Sequence, residues 1–179
     1  MDAAFVLNFW FAAENQPFWF EKSGEFDQKI VTHFMTIHHR AKQGELWSWR
    51  VTPEGRLAEI IILDQFSRNL FREQPQAFAQ DSMALALAQE AISLKLDQQL
   101  DPVQRKFLYM PFMHSESGYI HDIALQLFQR LGDQLTLDFE KKHQRIIDRF
   151  GRYPHRNDIL GRISTTEEQE FLTQPNSHF

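Results

Sequence analysis

Phe26, Ile30, Phe34, Ile37 and Ala41 follow one another at three- and four-residue intervals, and this spacing narrows the possible folds more than any other feature of the chain. Residues so spaced share one face of an α-helix, whereas a half-buried strand needs strict alternation. Ile120, Ile123, Ala124, Leu127 and Phe128 repeat the pattern, and no segment alternates convincingly. Only seven glycines and seven prolines interrupt 179 residues, which again favours helices. The seventeen phenylalanines fall at helical spacing and are read as core packing rather than as a cofactor site.

Local punctuation divides the chain. Asp2 can cap a first helix through Phe5, Leu7, Phe9 and Phe11, which Asn15 and Pro17 then interrupt. Ser23 opens a second helix and Gly44 stops it. After a short segment with Trp47 and Trp49, Thr52 and Pro53 supply a cap and a first-turn proline for a helix to about Phe71. An alanine- and leucine-rich helix is expected over roughly 78–96, and Asp101 with Pro102 starts another that Pro111 should kink or end. Further helices are expected up to Gly132, over 138–150 with Gly151 as a stop, and from Ser164 or Thr165, where Glu167 or Glu168 completes a capping box. The fold class is therefore all-α, with seven to eight helices that suit a helical bundle or stacked antiparallel helical pairs. No linker or 34-residue repeat is evident, so residues 1–179 are read as a single domain.

Composition removes several functions. The absence of cysteine excludes thiol catalysis and thiolate metal sites and fits a reducing, cytoplasmic setting. The start MDAAFVLNFWF has an acid at Asp2 and no basic region, so it does not read as a signal peptide, and no apolar run is long enough to span a bilayer. A net charge of -5 argues against a nucleic-acid surface. The sign reverses over 141–162, where seven Lys or Arg stand against two Asp, with two histidines.

Three polar features stand out. On the 52–71 helix, at about 100° per residue, Asp64 and Arg68 fall in the arc of Leu57, Ile60 and Ile61, while Gln65 and Asn69 fall on the opposite, solvated side. Asp64 and Arg68 read either as an internal ion pair or as the lining of a pocket. In YMPFMHSE (109–116), Pro111 leaves the Phe107 carbonyl without its helical donor. There His114 and Glu116 can act together only if the chain is irregular; otherwise Ser115 or Ser117 caps the next helix with Glu116 in its first turn. His121 and Asp122 add possible ligands. In RFGRYPHRN (149–157), Gly151 and Pro154 force an irregular turn that carries Arg152, His155 and Arg156. Arginine forks suit carboxylate or phosphate, and histidine exchanges protons near neutral pH. The same arginines could instead pair with Asp64, Glu116 or Glu167.

Named chemistries find little support. There is no H-E-x-x-H, and the one E-x-x-H, Glu140 with His143, lacks the second copy that a di-iron bundle needs. Phosphate-binding, dinucleotide and nucleophile-elbow glycine motifs are also missing. No metal and no cofactor are expected.

LDQFSRN (63–69), YMPFMHSE, RFGRYPHRN, LGR (160–162) and STTEEQEFL (164–172), with FWF at 9–11 and WF at 19–20, together resemble the bacterial domain-of-unknown-function family 924. That resemblance implies a tetratricopeptide-like helical fold and a polar site from Asp64, Gln65, Arg68, Asn69, His114, Glu116, Arg152, His155, Arg156 and Asn157. The family pattern has proline where this chain has Ser67. It implies no activity. The leading expectation is a binding module that takes an anionic small molecule or peptide carboxylate through Arg152, Arg156 and His155. One alternative is a hydrolase or transferase on a phosphate or carboxylate substrate. In it His114 or His155 moves protons, Glu116 or Asp64 orients the histidine, and Arg152 and Arg156 stabilise negative charge. The other alternative is a purely structural buried polar network.

Overall fold

Six of the eight helices described begin where a short polar side chain takes up a free backbone amide. The computed structural model describes residues 1–175 and 177 and contains eight helices and no strand among them. Helix α1 is Ala3–Trp10, with the Asp2 carboxylate accepting from the Phe5 amide at 2.9 Å. Helix α2 is Gly24–Lys42, capped by Ser23 and followed by Gly44 at φ +74°. Helix α3 covers 53–70 as Pro53–Ile61, a π-helical turn Ile62–Phe66 and a final Ser67–Leu70 turn, with Thr52 accepting from the Gly55 amide. Helices α4 (Asp81–Ser93) and α5 (Pro102–Met113) follow; Asp101 accepts from the amides of Val103 and Gln104. The rest are α6 (Gly118–Leu131), α7 (Gln134–Phe150) and α8 (Thr166–Leu172), the last with a full Thr165–Glu168 capping box. No helix among the described residues is long and apolar enough to cross a membrane.

Three boundaries differ from the sequence expectation. Helix α7 starts a turn before residue 138 because Asp133 caps it through the Thr136 amide. Helix α4 starts later than residue 78, after a 3-10 turn at Pro75–Ala77. Pro111 neither ends α5 at once nor opens the next segment, and the helix continues to Met113. Placed this close to the end, the proline removes one bond from a helix about to finish.

The chain divides into two compact units, 1–72 with 76–111, and 73–75 with 112–179. Helix α3 is the centre of the first. It packs against α1, α2 and α4, and every residue from Gly55 to Ser67 is buried. A helix with no wet face needs close neighbours: a Cβ added at Gly55 would lie 2.0 Å from the Trp49 carbonyl oxygen. Gln65, in the π turn, corrects its assignment to the solvated side, since this residue is only 6% exposed. The regular turns before it, from Gly55 to Ile61, are enclosed on every side as well, so Gln65 is buried because the whole helix is central. Around α3 the aromatic rings interlock, with Phe34 4.6 Å from Phe66 and 4.7 Å from Phe9.

Buried charge on α3 is matched by partners on neighbouring segments. Glu59 has no exposed surface and receives both arms of the Arg50 guanidinium at 2.6 and 2.7 Å. Arg56 donates to Glu90 at 2.7 Å. In the second unit α6 and α7 form a packed pair, and Ile146, Ile147 and Tyr153 make a small core with Phe150 and Phe171 against it. Replacing Arg50 by Ala strands the Glu59 carboxylate in the interior. The expected loss is about 3–5 kcal/mol of unfolding free energy in urea titration, with Arg50→Lys in between.

Candidate functional site

The 149–157 turn of the second unit is built around its own carboxylates. Gly151, at φ +68°, ends α7 by donating its amide to the Ile147 carbonyl at 2.7 Å, and a 3-10 turn at Pro154–Arg156 follows. Glu116 accepts from the Tyr153 amide at 2.7 Å and from both terminal nitrogens of Arg162 at 2.6 and 2.9 Å. Arg162 also donates to the Tyr153 carbonyl and, through Nε, to the Asn157 side chain. Burial pushes the Glu116 carboxyl up, but the Arg162 fork and the Tyr153 amide outweigh it and hold the group below the usual carboxylate range. Ser117 sits at the capping position of α6 without making a side-chain bond, so Glu116 serves the turn rather than the helix start.

The arginines before the turn are engaged in the same way. Arg152 places two nitrogens on Glu168 at 2.7 and 2.8 Å and reaches the Ile163 carbonyl at 2.9 Å. Arg149 bonds Glu167 and lies over the Phe150 ring. Glu168 receives the Arg152 fork, the Thr165 amide and Asn157, and the Arg152 bonds above all draw its pKa down to about 2. Asn157, fully buried, also donates to Ser164 Oγ at 2.9 Å.

A histidine cluster surrounds Tyr153. Its hydroxyl donates to the Met113 carbonyl at 2.6 Å and stands 3.1 Å from His121 Nε2. His121 and Glu140 are both fully enclosed, with Nδ1 2.6 Å from the carboxyl. The Ser115 carbonyl can only accept, so His121 Nε2, 2.8 Å away, donates to it, while Nδ1 faces the Glu140 carboxyl. Burial pushes Glu140 up against the pull of His121. His143, bonded to the Phe139 carbonyl, is drawn down to about 3, chiefly by burial, and is neutral near pH 7. This group was within reach of the sequence: Glu140, His143 and Ile147 share one helical stripe, and so do His121, Ala124 and Phe128.

His114, His155 and Arg156 complete the neighbourhood. Both histidines are half-buried and close enough for their charge to bear on His143. The His155 ring centre is 5.5 Å from that of Tyr153. Arg156, 6% exposed, stacks 4.6 Å over Tyr153 and donates to the His114 carbonyl at 3.1 Å. Among the described residues no three His, Asp or Glu side chains are arranged to hold a metal ion.

The remaining candidates lie in the first unit. Asp64, without exposed surface, accepts from Gln65 at 2.5 Å and from Arg68 at 3.3 Å. Arg68 forks onto Asp81 at 3.0 and 3.1 Å, and Asn69 joins Arg72 on Asp27. The structure thus gathers Asp64, Gln65 and Arg68 into one group, and His114, Glu116, Arg152, His155, Arg156 and Asn157 into another. Asn69, expected on a solvated side, is half-buried through its bond to Asp27.

Glu168 gives the second unit an acid-labile tie. Its folded pKa lies below its ordinary value of 4.5, so its contribution is complete above about pH 4.5 and fades as pH falls toward 2. In denaturant titrations across that window, wild-type stability should fall more steeply than that of Glu168→Gln, by up to about one proton. Parallel curves would show that the carboxylate is not tied in this way.

A solved relative is described as a protein of unknown function, ATU0120, from Agrobacterium tumefaciens. It is similar in both sequence and fold, at 38% identity and a TM-score of 0.90, over 95% of this chain and 96% of that one. No curated protein matches the chain. The family model described as bacterial protein of unknown function (DUF924) matches residues 6–176, and the chain belongs to that family.

Proposed function

We propose that the chain is a binding module, a cytoplasmic domain of tetratricopeptide-like helical pairs, whose 149–157 turn takes an anionic group such as a peptide carboxylate or a small acidic metabolite. The observation that carries this reading is a stacked guanidinium, Arg156, and the half-buried ring of His155 on one enclosed tyrosine, with half-buried His114 joined to Arg156 through its carbonyl. With Arg152 held by Glu168 and Arg162 by Glu116, the turn is set before any ligand arrives, which spares the ligand the entropy of ordering it. The ligand-facing set is then His155, Arg156 and His114, with Arg152 and Asn157 as supports.

Calorimetry with C-terminal peptides and small dicarboxylates tests the reading. At least one should bind more tightly than about 1 mM, and His155→Gln should weaken it about tenfold while the protein stays folded by circular dichroism. A second reading, the purely structural network, draws support from the carboxylates that fill the Arg152 and Arg162 forks. It predicts no binding by any member of the panel and lower stability in His155→Gln. That pair of results would overturn the binding proposal.

A further inference from the structure

The first unit holds a cavity of about 50 Å³, bordered by His38 and Lys42 of α2, by Phe71, and by Gln76, Ala79 and Gln80 ahead of α4. His38 is 3% exposed, and its Nε2 lies 2.8 Å from Ser67 Oγ. Ser67 has one hydroxyl hydrogen, and it goes to the Leu63 carbonyl at 2.5 Å. The ring must therefore donate to Ser67 through Nε2–H, which leaves a lone pair on Nδ1. Among the described residues nothing donates to that nitrogen. Burial, helped by the charges of Lys42 and His39, pulls His38 down to about 4, so that the ring is neutral near pH 7 and Nδ1 stays an acceptor.

The three kinds of wall differ in what they ask of a guest. With Nε2 turned to Ser67, Nδ1 is the ring's remaining hydrogen-bonding atom, and it wants an O–H or N–H. Phe71 and Ala79 offer apolar surface. Lys42, exposed at the end of α2, offers a solvated positive charge, and the Gln76 and Gln80 amides can donate beside it. A cavity of this size, several times the space that one water needs, admits only a few heavy atoms. We propose that it binds a small hydroxycarboxylate, with the hydroxyl on His38 Nδ1, the carbon skeleton on Phe71 and Ala79, and the carboxylate beside Lys42.

Lactate is the probe, and propionate, which lacks only the hydroxyl, is its control. Labelled full-length protein at pH 7 is titrated with each while the amide signals of Gln76, Ala79 and Gln80 and the His38 ring signals are followed by NMR. Lactate should give saturable shifts at these residues with a Kd on the order of millimolar, as suits so small a ligand. Propionate should bind about tenfold more weakly, because it has no hydroxyl to donate to His38 Nδ1. Lys42→Gln, at an exposed site, should weaken lactate several-fold with the fold intact. Equal affinity for the two acids would overturn the proposal, as would the absence of saturable shifts at these residues. Lactate shifts centred on 149–157 would also overturn it, by moving the ligand to the turn of the second unit.

Discussion

Glu116 faces two ways at once. One oxygen takes the Tyr153 amide, both take the Arg162 fork, and Arg162 in turn holds the Tyr153 carbonyl and Asn157, so that a single carboxylate ties the two ends of an irregular loop. A helix would have satisfied these backbone groups by itself; a turn broken by Gly151 and Pro154 cannot. The clamp fixes Tyr153, which has no exposed surface, and on Tyr153 rest the Met113 carbonyl, the His121 contact and the Arg156 stack. What the second unit can offer a ligand is decided by that placement.

The same rule governs the first unit from the inside. A helix buried on every side carries Arg56, Glu59 and Asp64, and each charge is stable there because a neighbour meets it. The charges fix which segments can lie against α3, and the interlocked rings supply the apolar burial. Most of the charged side chains in the motifs of both units are tied into the architecture, as the Arg152 and Arg162 forks on Glu168 and Glu116 and the Arg68 fork on Asp81 show.

Helix existence was legible because it rests on local chemistry. Asp2, Ser23, Thr52 and Thr165 cap where their residue types indicate, and Gly44, Gly132 and Gly151 all take the left-handed backbone that ends a helix. The charged face of α3 was half legible. A regular helical wheel puts Asp64 inward, as found, but it assumes a solvated side, and Gln65 was misplaced because this helix is enclosed all round from Gly55 to Ser67. The pairing of Arg149 with Glu167 was among the possibilities open from residue types alone, whereas Glu116 takes Arg162 in place of an arginine of 149–157. The particular choice of Arg162 for Glu116 and Arg152 for Glu168 was not, because it depends on how a non-repetitive loop folds back. The His121–Glu140 pair joins core-facing stripes of two helices, and spacing along either helix alone carries no sign of which stripes meet.

The Glu116–Arg162 clamp is an organising bond rather than an incidental surface pair, and a double-mutant cycle measures that directly. Unfolding free energies of wild type, Glu116→Gln, Arg162→Gln and the double variant give the coupling. The account predicts more than about 1 kcal/mol, beyond what exposed pairs supply. Additive losses, with a coupling within about 0.3 kcal/mol of zero, would contradict it.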